Sequence, residues 1–175
     1  MCTVCGCAAG AARPGVVMSL DNDKVPTHLT TVFAGFDKDA VAKARKADYV
    51  ILFGGLNKSD YQDCEGHDRK EYGLPYGQDK LVEALAKANK KLVFVNISGN
   101  AVAMPWKNKV NAILQGWFVG SESGEVLADI ITGKANPSGK LPMTIYESEE
   151  QLPDILDYDI FNSHTSINWR SEEHT

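Results

Sequence analysis

Hydrophobic residues in the middle of the chain follow two patterns, short continuous apolar runs and longer stretches with helical spacing. The apolar runs predict buried strands: DYVILFGG (48–55), KKLVFVNIS (90–98), NAILQGWF (111–118) and LPMTIY (141–146). The helical stretches lie between them: DKDAVAKARKA (37–47), QDKLVEALAKAN (78–89) and SGEVLADIITG (123–133). Strands and helices therefore alternate along the chain.

This alternation predicts the fold class. Strands separated by helices pair in parallel, with right-handed crossovers and helices on both faces of the sheet. We expect an α/β fold, a three-layer α/β/α sandwich around a mostly parallel sheet. The helical stretches show apolar stripes that would face it, formed by Leu81, Val82 and Leu85 in one helix and by Val126, Leu127, Ile130 and Ile131 in another, with Gly133 just past its end.

One segment does not fit a core. Residues 54–78, GGLNKSDYQDCEGHDRKEYGLPYGQ, separate the first predicted strand from the next helix and contain five acidic residues. A connection of this length in a compact domain is usually functional or disordered. It leaves the carboxyl end of a parallel strand, where open α/β sheets bind their ligands, and Pro75 marks its exit toward the helix. The position makes this loop the first functional candidate.

Composition narrows the class of protein. Of 175 residues, 43% are hydrophobic and 23% charged, which is enough for one domain with a real core. A net charge of -5 gives no basic surface for nucleic acid or for an anionic membrane, and no stretch approaches the 18 or so apolar residues of a membrane span. Residues 1–18 lack a basic start and a continuous apolar run, so they do not predict a signal peptide, and the localisation stays unknown.

Nucleotide and hydrolase motifs are absent. Neither the glycine-rich dinucleotide fingerprint nor the phosphate loop occurs. GSESG (120–124) superficially suggests a serine hydrolase elbow, but its central residue is Glu122, where that motif requires serine. We therefore expect Ser121 or Ser123 to cap the following helix.

Cysteine and histidine spacing gives little support for a metal site. Cys2, Cys5 and Cys7 crowd the amino terminus, where a soft metal would need a fourth ligand from elsewhere, and the simpler interpretation is a tail whose thiols have no role. Cys64 stands alone in the acidic loop, and the four histidines are scattered. We expect neither a metal nor an organic cofactor.

Several blocks of the chain together resemble a known family. ADYVILFGGLN, EGHDR, LPYGQDKLVEALAKAN, VNISGNAVAMPW, NAILQGWFVGSESGEVLADIITG and NPSGKLPMTIY resemble, in that order, the carboxyl-terminal α/β sandwich domain of glycoside hydrolase family 3, the β-glucosidase family. The resemblance covers roughly residues 37–146. Each block alone is a weak signal, but their shared order is specific.

The resemblance implies a sugar site shared between two modules. In this family a (β/α)8 barrel supplies an Asp nucleophile, and a loop of the sandwich supplies the acid/base carboxylate. Glu65 matches that position in the E-G-x-D-R pattern, and Asp68 and Arg69 match its last two positions as supports of the loop. Asp63 and Asp60 are further candidates for contacts with sugar hydroxyls, with plain solvation as the alternative. The simplest structural interpretation of Asp68 next to Arg69 is a local ion pair or a brace of the backbone.

The implied activity is hydrolysis of terminal non-reducing β-D-glucosyl bonds with retention of configuration. Such a barrel takes about 250 residues, so we expect it to lie outside this chain. We expect residues 1–30 to be unassigned and disordered or atypical, residues 31–150 to form the sandwich, and residues 151–175 to be a truncated extension. The alternatives are a non-catalytic carbohydrate-binding or scaffold module derived from such an enzyme, and a generic doubly wound domain that shares only the fold.

Overall fold

The computed structural model describes residues 38–58, 61–118 and 120–153. Its elements are α1 (Lys38–Ala44), β1 (Val50–Gly55), α2 (Gln78–Ala88), β2 (Leu92–Ile97), β3 (Ala112–Gln115) and α3 (Ser123–Thr132), with short 3₁₀ turns at Lys107–Lys109 and Glu149–Gln151. The predictions for Cys2, Cys5, Cys7 and Asp60, and the domain boundary at residue 30, fall outside the described residues. The proposed boundary near residue 150 stays a prediction.

The described strands form one parallel sheet in the order β1-β2-β3. Val50 pairs with Leu92 and Gly55 with Ile97, so β1 and β2 match along their whole length. β3 is shorter and pairs only from Val93–Ala112 to Asn96–Gln115. The parallel arrangement confirms the interpretation of alternating strands and helices.

Side chains on the two faces of this sheet enter two separate cores. On one face Leu52, Leu92 and Phe94 pack with α1 and α2, and on the other Val95 and Ile97 pack with α3. Successive residues of a strand point to opposite faces, so a strand buried on both sides must be apolar throughout. Helices on both faces confirm the three-layer α/β/α sandwich.

The α2 helix is amphipathic in the way its sequence predicts. Leu81, Val82 and Leu85 are all buried, each at most 5% exposed. The helix ends at Asn89, whose Nδ2 donates to the carbonyl oxygens of Ala44 at 2.8 Å and Ala47 at 2.7 Å. Ala44 is the last residue of α1 and Ala47 lies three residues beyond it, so this amide joins the end of α2 to the end of α1.

The α3 helix confirms one part of its prediction and corrects another. The helix ends at Gly133, whose left-handed φ of 80° suits glycine. The Gly133 N–H donates hydrogen bonds to the carbonyls of Asp129 and Ile130. Leu127 is buried, but Val126 is 50% exposed, so its predicted inward orientation is wrong. Adjacent helical positions lie about 100° apart, and the face that reaches the sheet contains Leu127 and excludes Val126.

The predicted strand LPMTIY (141–146) does not form, so that prediction is wrong. Leu141 and Met143 are 54% and 40% exposed. At the end of the segment the ring of Tyr146 stacks on Tyr72 at 4.2 Å, and the Tyr146 carbonyl accepts a hydrogen bond from the Tyr72 hydroxyl at 2.7 Å. An apolar run becomes a strand only where a neighbouring backbone pairs with it, and this segment is fastened by side chains instead.

No helix in the described part of the chain is both long enough and apolar enough to cross a bilayer.

Candidate active-site loop

The loop between β1 and α2 starts and ends at one tightly packed point. Gly55 has φ 139°, and a Cβ there would lie 1.9 Å from the carbonyl oxygen of Ile97, so no other residue fits. The Gln78 amide accepts a hydrogen bond from the Gly55 N–H and donates one to the Gly55 carbonyl, both at 2.8 Å. The first residue of α2 is therefore fastened to the last residue of β1, and the intervening residues project from the sheet edge.

The first arm of the loop folds back on the strand end. Leu56 is completely buried and its N–H donates to the Ile97 carbonyl at 2.9 Å. The Asn57 carbonyl accepts from the Asp63 N–H at 3.0 Å, while the Asn57 N–H donates to the side chain of Gln62 at 3.1 Å. These bonds hold Asn57 close to Gln62 and Asp63.

Asp63 is the first anchor of the loop. It is only 7% exposed, so the solvated alternative does not describe it. Its Oδ2 accepts a hydrogen bond from the Gly99 N–H at 2.6 Å, and its Oδ1 accepts from the Asn100 side chain at 3.3 Å. Charge-assisted bonds to a carboxylate are stronger than neutral ones, so Asp63 fastens the loop to the segment that follows β2.

Arg69 is the second anchor. Its Nη2 donates to the Ala101 carbonyl at 2.7 Å, and its guanidinium lies 5.5 Å from the centre of the Tyr72 ring. Its Nη1 is buried and makes no hydrogen bond within the described residues. Asp68 is exposed and no ion pair with Arg69 forms in that part of the chain, so of the two structural interpretations the ion pair is wrong and the backbone brace describes Arg69. The arginine binds backbone instead, which fixes the loop at a second point.

Glu65 lies between these anchors. It is exposed, and it makes no hydrogen bond or ion pair to a described residue. The neighbouring Cys64 thiol donates to the His67 carbonyl at 3.3 Å, and no Cβ added to Gly66 would meet any atom within 4 Å. Between its two anchors the loop thus presents the carboxyl groups of Glu65 and Asp68 outward.

The segment that receives both anchors is itself rooted in the sheet. Asn96 and Ser98 are fully buried at the carboxyl end of β2. Asn96 Nδ2 donates to Ser98 Oγ at 2.9 Å and to Gln115 Oε1 at 2.7 Å, and Ser98 Oγ donates to the Asn100 carbonyl at 2.8 Å. Sequence reasoning missed these residues; the available signal was polar side chains at the carboxyl ends of two neighbouring parallel strands.

Aromatic and basic side chains of the loop pack against one another. The Lys70 ammonium lies 4.0 Å from the centre of the Tyr61 ring, and that ring lies 4.9 Å from the ring of His67. A half-open cleft of about 210 Å³ beside them is lined by the loop's own residues, including Tyr61, Arg69 and Pro75. Within the described ranges no three His, Cys, Asp or Glu side chains are grouped to hold a metal ion.

The start of α3 corrects the predicted cap. The residue before the helix is Glu122, and no side chain forms a capping bond there. Ser123 is instead the first helical residue, and its hydroxyl is buried without a hydrogen-bond partner among the described residues. Neither serine caps the helix, so that prediction is wrong.

Comparison with known proteins identifies the family. The family model described as the glycosyl hydrolase family 3 C-terminal domain matches residues 6–173. The chain belongs to this family.

Relatives of known sequence and structure agree with the family 3 assignment. The β-glucosidase BoGH3A of Bacteroides ovatus is 53% identical over 115 residues, which is 66% of this chain and 15% of that protein. DesR, a β-glucosidase of Streptomyces venezuelae solved with D-glucose, is 38% identical with a TM-score of 0.59 over 63% of this chain and 14% of its own. A family 3 exo-β-xylosidase, XlnD, solved with a xylobiose aziridine probe, is 28% identical with a TM-score of 0.58 over 68% of this chain and 16% of its own.

The chain therefore spans about 15% of the length of the relatives it matches. The relatives named above are β-glucosidases and an exo-β-xylosidase. The loop that carries Glu65 lies within a domain of this family, at the carboxyl edge of its parallel sheet.

Proposed function

We propose that this chain is the α/β sandwich part of a retaining β-glucosidase-type hydrolase, with Glu65 as its general acid/base. The reaction is hydrolysis of a terminal non-reducing β-D-glucosyl bond, or of a closely related glycoside. A (β/α)8 barrel supplies the Asp nucleophile. No metal or organic cofactor takes part.

The observation that carries the proposal is the contrast between Glu65 and the residues that hold its loop. Asp63 and Arg69 are both bonded to the segment after β2, at 2.6 Å and 2.7 Å, whereas Glu65 between them is exposed and has no partner among the described residues. A carboxylate with a structural role would be bonded. A held loop that presents unbonded carboxyl groups, those of Glu65 and Asp68, suits a group that must reach a substrate, and the E-G-x-D-R resemblance points to Glu65 for that role.

The chemistry requires two carboxyl groups about 5 to 5.5 Å apart. In the first step the barrel carboxylate attacks the anomeric carbon, the glycosidic C–O bond breaks, and protonated Glu65 gives its proton to the leaving oxygen. In the second step the Glu65 carboxylate takes a proton from water, and the resulting hydroxyl attacks the anomeric carbon and releases the barrel carboxylate. The sugar leaves with its original configuration.

The loop's position supports the reach that this mechanism needs. It projects from the carboxyl edge of the sheet, and the long Glu side chain extends from a turn rather than from a rigid element. Its approach to a barrel would exclude water from the sugar, and exclusion of water favours the neutral, proton-bearing form of a carboxyl group. A positioned general acid contributes about 10² to 10⁴ in rate.

The experiment joins this domain to a barrel. In BoGH3A, the region that aligns with this chain is replaced by the chain's own residues, and the chimera is compared with its Glu65→Ala, Glu65→Gln and Glu71→Gln variants. Glu71 is an exposed carboxylate of the same loop and serves as the matched control. Substrates are aryl β-glucosides with good and poor leaving groups, with and without azide.

We expect Glu65→Ala to lower kcat/KM by about 10² to 10⁴ for poor leaving groups and by much less for a dinitrophenyl glucoside, because that leaving group departs without protonation. Azide attacks the glycosyl intermediate without a base, so it should restore turnover and yield the β-glucosyl azide. Glu71→Gln should behave as the unchanged chimera.

Four results would count against the proposal or change its substrate. Equal activity of Glu65→Ala and the unchanged chimera would remove Glu65 from the mechanism. An inverted anomeric product would exclude retention. A folded but inactive chimera would favour the non-catalytic scaffold, and preference for aryl xylosides over glucosides would move the substrate toward that of XlnD.

A further inference from the structure

The bond between Asp63 and the turn after β2 is a short one that joins the loop to the rest of the domain. Asp63 Oδ2 accepts from the Gly99 N–H at 2.6 Å, and Asp63 Oδ1 accepts from the Asn100 amide at 3.3 Å. The two acceptor oxygens belong to one buried carboxylate. One donor is on Gly99 and the other is on the next residue, Asn100. The carboxylate is held at two points, which fixes its direction as well as its position.

The receiving turn has room for this contact because residue 99 is glycine. A Cβ on Gly99 would lie 3.0 Å and 3.1 Å from two ring carbons of Phe118 and 3.3 Å from Asp63 Oδ2. A larger residue would have to push the ring or the carboxylate away. The close approach of Asp63 to the backbone therefore depends on the missing side chain.

Buried hydrogen bonds keep the turn from moving. The Asn100 carbonyl accepts from Ser98 Oγ, which in turn accepts from Asn96 Nδ2, and Asn96 also bonds Gln115 at the end of β3. These bonds continue without a gap from two neighbouring strands to the partner of Asp63. Glu65 follows Asp63 by two residues, so the turn limits where the Glu65 backbone can lie.

We propose that Gly99 and Asn100 are positioning residues for the Glu65 carboxyl group, acting through Asp63. The inference rests on the proposed acid/base role of Glu65. It adds that the orientation of the acid/base depends on a turn outside its own loop, 36 residues farther along the chain from Asp63. Gly99 and Asn100 touch no reacting atom themselves.

The first test measures loop opening in the full chain, without any activity. Cys64 adjoins Glu65 and its thiol donates to the His67 carbonyl, so its reaction rate with a thiol reagent reports release of the loop. In a background with Cys2, Cys5 and Cys7 changed to serine, the variants are Asn100→Asp, Asp63→Asn and the exchanged pair Asp63→Asn with Asn100→Asp. Glu71→Gln is the control for the loss of one loop charge.

Asn100→Asp places two carboxylates against each other, and we expect the labelling rate of Cys64 to rise about tenfold. In the exchanged pair, the amide at position 63 faces the carboxylate at position 100, and the amide oxygen can still accept from the Gly99 N–H. The labelling rate of Cys64 should therefore return to within about twofold of that of the unchanged chain. Where Asn100→Asp does not fold, Asn100→Ala removes the amide without adding charge. An unchanged rate in the folded Asn100 variant would overturn the proposal, as would an exchanged pair that reacts as fast as Asn100→Asp alone.

The second test separates positioning from general damage to the domain. In the BoGH3A chimera, Asn100→Asp should lower kcat/KM about 10- to 100-fold for a poor leaving group and leave the dinitrophenyl glucoside within about threefold. Equal loss for both substrates would mean a structural defect and overturn the positioning role. If Glu65→Ala itself shows no dependence on the leaving group, the acid/base proposal has failed, while Cys64 labelling still decides whether Asn100 anchors the loop.

Discussion

The junction between β1 and α2 allows a stability prediction from two hydrogen bonds. Gln78 is 5% exposed, and its amide bonds both the N–H and the carbonyl of buried Gly55 at 2.8 Å. Gln78→Met keeps the length and helix propensity of the side chain but removes both polar atoms. A buried backbone group that loses its partner costs about 1 to 3 kcal/mol, so two such groups cost about 2 to 6 kcal/mol.

That loss is a large part of the 5 to 15 kcal/mol that typically stabilises a domain. Urea unfolding followed by far-ultraviolet circular dichroism measures it: with an m-value near 2 kcal/mol/M, the midpoint should fall by about 1 to 3 M and the slope should stay unchanged. Gln151→Met is the control, because Gln151 is exposed and accepts only one backbone bond, from Glu147 at 2.7 Å. A loss below about 0.5 kcal/mol for Gln78→Met would refute the role of the junction.

Two further predictions concern one buried and one partly buried ionisable group, Tyr72 and Asp79. Burial is the main cause that raises the pKa of Tyr72 to about 12, so the folded form keeps the phenol proton and stability falls as pH rises from about 10 to about 12. Tyr72→Phe should remove that dependence in unfolding measured across this range, and should cost about 1 kcal/mol at pH 7 through the lost bond to the Tyr146 carbonyl. Burial also raises the pKa of Asp79, while the Trp106 indole N–H, at 2.6 Å, lowers it by stabilising the charged form. Trp106→Phe should therefore raise the pKa of Asp79 further. When unfolding is measured at pH 4 and pH 7, the variant should lose about 1 kcal/mol more free energy of unfolding at pH 7 than at pH 4. An equal loss at both pH values would contradict the reasoning.

The sandwich was predictable because burial acts on every residue of an element. Leu92 and Phe94 of β2 enter one core and Val95 and Ile97 enter the other, and α2 repeats its apolar positions with the helical period, so local patterns carry the information. The resemblance in E-G-x-D-R located the loop and its Glu65 as well. The pattern of LPMTIY was a poorer predictor. Its residues suit a strand, but whether a neighbouring backbone pairs with them depends on the rest of the fold, and no strand forms there.

By itself the sequence determined the alternation of strands and helices, the parallel sheet, the family and the loop that carries Glu65. Only the tertiary structure decided what holds that loop. Asp63 was a candidate for sugar contact or solvation, and in the fold it is a buried anchor whose partner is 36 residues away, while Arg69 bonds Ala101, 32 residues away, instead of its neighbour Asp68. Hydrophobic burial repeats with a local period that a sequence displays, whereas a hydrogen bond between distant segments exists only where the packed layers bring donor and acceptor within about 3 Å.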